Sequence, residues 1–119
     1  MNIKSIKQSF IIQNDQSDCG VACLLSLTNY YSGTITLEKL RELSGTTKQG
    51  TTLLGLYQAA NQIGFDAEGN EAGIKSLIEH GEPVILHVLM NQRLQHFVIC
   101  YGYEEDHFII GDPGEYFGV

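Results

Sequence analysis

Basic residues are scarce in this sequence. Its 119 residues include seven Lys and Arg against 14 Asp and Glu, which gives a formal net charge of −7. The few basic side chains are scattered along the chain. A surface that binds nucleic acid or an anionic membrane needs a basic patch, so the composition argues against both kinds of partner.

Long apolar runs are absent as well. No stretch approaches the about 20 apolar residues that a membrane-spanning helix needs, and the first ten residues, MNIKSIKQSF, lack the apolar centre of a signal peptide. We therefore expect a soluble piece in the cytosol. Its length fits one domain with a single core.

Paired cysteines are missing too. Cys19, Cys23 and Cys100 are an odd number, without the spacing of a disulfide framework or a zinc site. This usage fits a reducing compartment, in which a thiol can stay free to react. We expect Cys23 and Cys100 to be core residues.

The most informative stretch that is present places Cys19 at the start of an apolar helix. Ser17 and Asp18 are good N-cap residues, and an apolar pattern follows them to Tyr30 and Tyr31. Cys19 would then occupy the first or second helical position, where free N–H groups and the helix dipole lower the pKa of a thiol. Gly20 would let another chain approach the sulfur. Alternatively, Cys19 is a small core residue.

Gln13 lies upstream on the loop that approaches this helix. Its amide could reach the helix start and join the Cys19 N–H as an oxyanion donor. A loop glutamine is otherwise simply solvated.

His96 and Asp112 lie on two segments that read as an antiparallel hairpin. A turn centred near Glu104 sets His96 opposite Asp112, and a turn half a residue later sets it opposite Pro113. A carboxylate at this distance would fix the imidazole tautomer and prepare His96 to accept a proton from a thiol. A structural histidine is the alternative. His87 is a rival base, but no carboxylate is predicted across from it.

Helical patterns occupy the first two thirds of the chain and strand patterns the last third. The predicted helices are residues 18–31, 36–43, 52–63 and 70–80, and the predicted strands are 83–90, 94–103, 106–112 and 116–119. Residues 9–12 would form a short edge strand or lie in a groove. The fold class is therefore α+β, with N-terminal helices packed against an antiparallel sheet and the cysteine helix against one end of it.

At this point the motifs are recognisable. Gln13, Asp15, the run Asp18-Cys19-Gly20-Val21-Ala22-Cys23-Leu24, then His96-Phe97-Val98 and Ile109-Ile110-Gly111-Asp112-Pro113 are similar to a known family. The set resembles the double-glycine leader peptidase domain of bacteriocin-exporting ABC transporters, over nearly the whole chain. The resemblance implies a papain-like cysteine peptidase that cuts a leader peptide after a Gly-Gly type pair during export.

The resemblance also implies roles and partners. Cys19 would be the nucleophile, His96 the general base, Asp112 its orienter and Gln13 the oxyanion-hole residue, with no metal and no cofactor. ATP would bind only in a transporter portion outside this chain. The partners would be a precursor peptide with a double-glycine leader and the transporter's membrane and nucleotide-binding domains, at the cytoplasmic face of the bacterial inner membrane. Residues 1–119 would be one peptidase domain of a longer transporter chain. Whether a last strand or helix of the domain follows Val119 stays open.

The helix predicted over residues 52–63 carries an apolar stripe. Leu53, Leu56, Tyr57, Ala60 and Ile63 recur at helical spacing, which usually marks a core face. An exposed part of the stripe could instead receive an amphipathic leader helix.

Two other functions stay open. One is a docking module without catalysis that holds a secretion substrate for a transporter. The other is a different papain-like thiol hydrolase with the same three residues, since one set of catalytic groups serves many substrates.

Overall fold

The computed structural model describes residues 3–13, 15–71, 73–90, 94–114 and 116–118. Within these ranges, five α-helices precede a four-stranded antiparallel sheet of order β1-β2-β3-β4. The helices are α1 (Ile3–Ser9), α2 (Cys19–Tyr30), α3 (Leu37–Ser44), α4 (Leu53–Gln62) and α5 (Ile74–His80). The strands are β1 (Val84–Met90), β2 (Leu94–Glu104), β3 (His107–Asp112) and β4 (Tyr116–Gly118). The predicted α+β architecture is confirmed.

Helix α2 lies in the core because nearly every side chain along it is apolar or small. Val21, Ala22, Cys23 and Leu24 are all buried. Val21, Cys23 and Leu24 share one core cluster with alternate residues of β2, which side-chain alternation directs to the same face of the sheet: Phe97, Ile99 and Tyr101. The first turn of α2 is thereby held against the sheet.

Helices α3 and α4 lie within one residue of their predicted ranges, and a threonine caps each of them at its N-terminus. The Thr36 hydroxyl accepts a hydrogen bond from the Lys39 N–H, and the Thr52 hydroxyl accepts one from the Gly55 N–H. Gly45 ends α3 in the left-handed conformation, at φ 70°. Gly55 allows the two helices to touch, since a Cβ there would collide with the carbonyl oxygen of Ser44.

The expectation of an edge strand over residues 9–12 is wrong. Ser9 ends α1, and the following residues have no regular structure. The Ile11 N–H donates to the Ser26 hydroxyl of α2 over 2.8 Å, which satisfies an amide that a strand partner would otherwise bind. Helix α5 also begins later than predicted, at Ile74.

The hairpin of β2 and β3 determines where the candidate catalytic residues lie. Glu105 and Asp106 both have positive φ, 52° and 65°, as a two-residue type I′ turn requires. A β-bulge between Cys100 and Gly102 then shifts the register, so that Ile99 pairs with Gly111. The same register extended by one residue would place Asp112 opposite Val98, two residues from His96.

Candidate active site

Cys19 is the first residue of α2 and follows a 3₁₀ turn, Gln16–Asp18. Its predicted place in the first helical turn is confirmed. The predicted capping is not: Asp18 is the N-cap but makes no side-chain capping hydrogen bond. Asp15 caps the 3₁₀ turn instead, accepting hydrogen bonds from the N–H and hydroxyl of Ser17, both over 2.9 Å.

The prediction of a lowered Cys19 pKa is wrong. Burial raises the pKa of the Cys19 thiol, and the Asp112 charge raises it further. Backbone N–H groups of Phe97, Gly20 and Cys19 itself lower it, but burial outweighs them. The helix start supplies the predicted N–H groups, but the side chain has lost so much water that the neutral thiol is favoured.

His96 and Asp112 are joined by a short hydrogen bond. Nε2 of His96 lies 2.6 Å from Oδ1 of Asp112, and both side chains are largely buried. The predicted neighbourhood is confirmed, but the predicted register is wrong. The bulge makes the two residues diagonal partners instead of direct ones, a separation that an imidazole and a carboxylate on one face can bridge.

Gln13 meets this pair at Gly114. A Cβ built on Gly114 would lie 3.3 Å from Oδ1 of Asp112, 3.5 Å from Cε1 of His96 and 3.7 Å from Oε1 of Gln13. The Gly114 N–H donates to the same Asp112 oxygen over 2.9 Å. Gln13 is anchored by its own N–H, which donates to the Pro113 carbonyl over 2.7 Å. Three of the four candidate residues therefore converge on one glycine.

The amide of Gln13 has two different ends. Its Nε2 donates to the Asp15 carbonyl over 3.0 Å. Its Oε1 is buried and has no hydrogen-bond partner among the described residues. One N–H of the amide group remains beyond the bond to Asp15.

Phe97 connects Cys19 to the other three residues. Its N–H is one of the backbone groups that lower the pKa of the Cys19 thiol, and it directly follows His96 in β2. Its ring packs on Gly20, where a Cβ would lie 3.1 Å from Cδ2 of Phe97. The close approach that Gly20 predicted is thus made by β2. The thiol of Cys19 therefore lies at the end of the sheet that carries His96.

His87, the rival base, lies on β1 opposite Phe97. Its exposed ring stacks on the Phe97 ring, with centroids 4.3 Å apart and planes 9° from parallel. The structure thus pairs His87 with an aromatic ring and His96 with a carboxylate. Cys23 and Cys100 are buried as predicted, and burial raises the pKa of both thiols.

Arg41 is a residue that the sequence did not single out. Its Nε lies 2.8 Å from Oδ1 of Asp18, the residue before Cys19. No periodic pattern links two positions on different helices, so only the fold shows this pair. Among the described residues, no group of His, Cys, Asp or Glu is arranged to hold a metal ion.

Comparison with known proteins identifies the class. Residues 7–116 match the model of the Peptidase C39 family. The chain is 37% identical over 110 residues to the lactococcin-G-processing and transport ATP-binding protein LagD of Lactococcus lactis subsp. lactis, which covers 91% of this chain and 16% of LagD. It is 39% identical over 106 residues to the pediocin PA-1 transport/processing ATP-binding protein PedD of Pediococcus acidilactici, covering 87% of this chain and 15% of PedD. The chain thus spans about one sixth of the length of these relatives.

Solved structures agree with this comparison. The peptidase domain of Streptococcus ComA, described as a bifunctional ABC transporter of a quorum-sensing pathway, superposes with a TM-score of 0.82 at 38% identity, covering 91% of this chain and 82% of that one. A double-glycine motif protease of an AMS/PCAT transporter, in complex with a leader peptide, gives 0.80 at 27% identity, covering 91% and 75%. The fold is that of a cysteine peptidase domain. This chain belongs to the Peptidase C39 family, as its motifs predicted. No helix in the described ranges is long and apolar enough to cross a membrane.

Proposed function

We propose that this chain removes the leader peptide, after a Gly-Gly type pair, from a bacteriocin or similar secreted peptide precursor. The observation that carries the proposal is the convergence of Gln13, His96 and Asp112 on Gly114, with the Cys19 sulfur at the Phe97 N–H. The names of the relatives support it, since they process and transport lactococcin G or pediocin PA-1. A protease of similar fold holds a leader peptide.

The chemistry is acyl transfer to water through a thioester. Because Nε2 of His96 faces Asp112, Nδ1 is the ring nitrogen left to take a proton. The raised pKa of Cys19 means that the resting group is a thiol, so His96 must remove the proton as sulfur attacks the carbonyl carbon of the second glycine. The C–N bond then breaks, and the protonated His96 gives its proton to the leaving amine.

The second half of the reaction releases the leader. Water loses a proton to His96 and attacks the thioester carbon. The C–S bond then breaks, His96 returns the proton to the Cys19 sulfur, and the leader leaves as an acid that ionises to a carboxylate in solvent. In both halves the oxyanion would accept hydrogen bonds from the Cys19 N–H and from the remaining N–H of the Gln13 amide. The charge of Asp112 would stabilise the imidazolium and fix the ring tautomer.

Helix α4 offers a surface for the leader. The apolar stripe is divided: Leu56 and Ala60 are buried, but Leu53 and Tyr57 are 50% and 43% exposed. Leu54 beside them is 63% exposed. An amphipathic leader helix could cover these side chains.

This surface is continuous with the site of Cys19. Thr51 lies two residues before α4, and its Cβ lies 3.2 Å from where a Cβ on Gly20 would be. A leader helix on α4 would therefore lead its C-terminal residues toward the cysteine. Glycines at the C-terminal end of the leader have no side chain, so they would fit beside closely packed main chain near Cys19 without a clash.

We also propose that the chain acts with the membrane and nucleotide-binding domains of an ABC transporter, at the cytoplasmic face of the bacterial inner membrane. The transport ATP-binding names of LagD and PedD support this, and ATP would bind in those domains. Residues 1–119 would then be one peptidase domain within a longer transporter chain.

The test is cleavage of synthetic precursor peptides followed by mass spectrometry. We expect one cut after the Gly-Gly pair, no cut by Cys19→Ala, and loss of the cut when both glycines are replaced by bulky residues. Cleavage that persists in Cys19→Ala would overturn the mechanism. If the wild type binds the leader without cutting it, the chain is a docking module. If it cuts equally well when the glycines are replaced, it is a different thiol hydrolase.

A further inference from the structure

The carboxylate directly before the cysteine is buried and paired. Asp18 is 2% exposed, and its Oδ1 lies 2.8 Å from Nε of Arg41 on α3. A buried carboxylate without a partner is strongly unfavourable, so this contact governs where the residue can sit. Asp18 does not cap α2 with its side chain, so its placement there serves Arg41 and not the helix.

Arg41 also acts on the turn just upstream. The Ser17 N–H and hydroxyl lower the pKa of the Asp15 carboxyl, and the Arg41 charge lowers it further. The Arg41 charge therefore acts on both Asp15 and Asp18. The segment from Asp15 to Asp18 leads directly into the first turn of α2.

A second connection joins the same helix to the residue after the cysteine. The hydroxyls of Ser44 and Thr46 lie 2.7 Å apart, and those of Thr46 and Thr51 lie 2.5 Å apart. Thr51 packs on Gly20. Helix α3 thus contacts the first turn of α2 through Asp18 and, by this row of hydroxyls, through Gly20. Cys19 lies between the two.

We propose that Arg41 is a positioning residue of the peptidase: by holding Asp18, it fixes the first turn of α2 and so the place of the Cys19 sulfur relative to His96. The inference rests on the proposed roles of Cys19 and His96. Catalysis depends on such placement, because a displacement of about 1 Å at reacting groups can cost about 100-fold in rate. Arg41 touches no reacting atom in this account.

The experiment measures kcat and KM on a Gly-Gly precursor peptide, together with the thermal midpoint, for five forms of the chain. They are the wild type, Arg41→Met, Asp18→Asn, the double variant, and Lys39→Met as a matched control. Lys39 belongs to the same helix and pairs with Glu42 at 3.8 Å, but both side chains are exposed. We expect Lys39→Met to match the wild type.

For Arg41→Met we expect kcat to fall about 10- to 100-fold with KM within about twofold, because the cysteine is misplaced while the substrate surface on α4 is unchanged. The thermal midpoint falls as well, since Asp18 is left unpaired. In the double variant the unpaired charge is gone, so the midpoint recovers while kcat stays low. A merely structural pair would instead restore kcat along with the midpoint, and that result would overturn the proposal.

Three further outcomes are decisive. If Arg41→Met does not fold, the double variant and Asp18→Asn are compared with the wild type below their midpoints, and a wild-type kcat in both overturns the proposal. If the wild type cuts while Cys19→Ala does not, the proposed function is supported. If kcat of Arg41→Met is then undiminished, Arg41 has no positioning role and the proposed function stands. A wild type that does not cut overturns both.

Discussion

Nε2 of His96 lies 2.6 Å from Oδ1 of Asp112, although the strands that carry them do not place the two residues opposite each other. They meet diagonally on one face of the hairpin. The Gly114 N–H binds the same oxygen over 2.9 Å, so the carboxylate is held from two sides. Asp112 therefore contributes both an acceptor oxygen that orients the imidazole and a negative charge. Substitutions can measure the two contributions separately.

Removing the Asp112 charge should lower activity markedly, and removing the whole side chain should lower it further. Asp112→Ala frees the imidazole, and we expect kcat to fall by about 10²- to 10⁴-fold. Asp112→Asn can keep an acceptor oxygen on both His96 and Gly114 and loses only the charge, so it should retain activity between the wild type and Asp112→Ala. The measurement is kcat on a Gly-Gly peptide.

The control for the asparagine variant is Asp106→Asn. Asp106 lies in the exposed hairpin turn at positive φ, a conformation that asparagine tolerates well. It should cleave like the wild type. Equal activity of Asp112→Ala and the wild type would rule out an orienting role for Asp112.

Loss of the Gln13 amide should slow the reaction without loosening the fold. Its main-chain N–H still binds the Pro113 carbonyl in Gln13→Ala, so the approach loop keeps its anchor. We expect kcat to fall about 10²- to 10³-fold, as for other oxyanion donors, with little change in the unfolding midpoint. Gln8→Ala on the exposed side of α1 is the control. If Gln13→Ala keeps full activity, Gln13 is not an oxyanion donor and only the Cys19 N–H of the two proposed donors stabilises the oxyanion.

A charge on the exposed part of α4 should weaken leader binding. Leu54 is 63% exposed, so Leu54→Glu costs little stability but places a carboxylate where an apolar leader face would pack. We expect KM to rise about tenfold with kcat nearly unchanged. Ile74→Glu on α5 is a matched control, since Ile74 is 66% exposed on another helix. If the two variants raise KM equally, α4 is not the leader surface.

The alkylation rate of Cys19 should rise with pH above neutrality. Burial raises the pKa of its thiol, and only the thiolate reacts, so the iodoacetamide rate should increase about tenfold per pH unit between pH 7 and 9. Mass spectrometry should find the label on Cys19 before Cys23 or Cys100, because Cys19 is 7% exposed and the others 0% and 2%. A rate that is flat below pH 7 would instead indicate a thiolate paired with a charged His96.

Alkaline pH should destabilise the fold through its buried thiols. Burial raises the pKa of Cys23 far above its usual range, so the folded state keeps a proton that the unfolded state releases above about pH 8.5. Stability is therefore lost as pH rises past that value. In urea unfolding from pH 7 to 10, Cys23→Ala should start lower but decline less steeply than the wild type. Parallel declines would mean that Cys23 does not contribute.

The features that sequence predicted correctly are local or tied to motifs. Thr36, Thr52 and Gly45 fix helix ends because a cap needs only nearby backbone groups. Cys19 could be placed in the first turn of α2 from the apolar pattern that follows it, although the predicted side-chain cap is absent. His96 and Asp112 were recognised as neighbours because a hairpin brings close residues together whichever turn closes it.

The features that sequence did not predict depend on the folded surroundings. The bulge at Gly102 depends on a main-chain conformation of φ 155°, which many glycines in this chain could adopt in principle. The Cys19 pKa depends on how much water the sheet removes from the sulfur, and that is decided by packing across the chain. Arg41 and Asp18 are 23 residues apart in the sequence and lie on different elements, so no periodic pattern indicates their contact.

The bulge between Cys100 and Gly102 also sets which changes in length this hairpin can accept. Residues inserted into the Glu105–Asp106 turn would only enlarge an exposed loop, and the paired strands below it would stay aligned. One residue added or deleted within His107–Asp112 would rotate the carboxylate to the opposite side of the ribbon, away from its histidine. A fluorescent label or tether should therefore be inserted at the turn. A single-residue insertion or deletion within β3 should abolish activity.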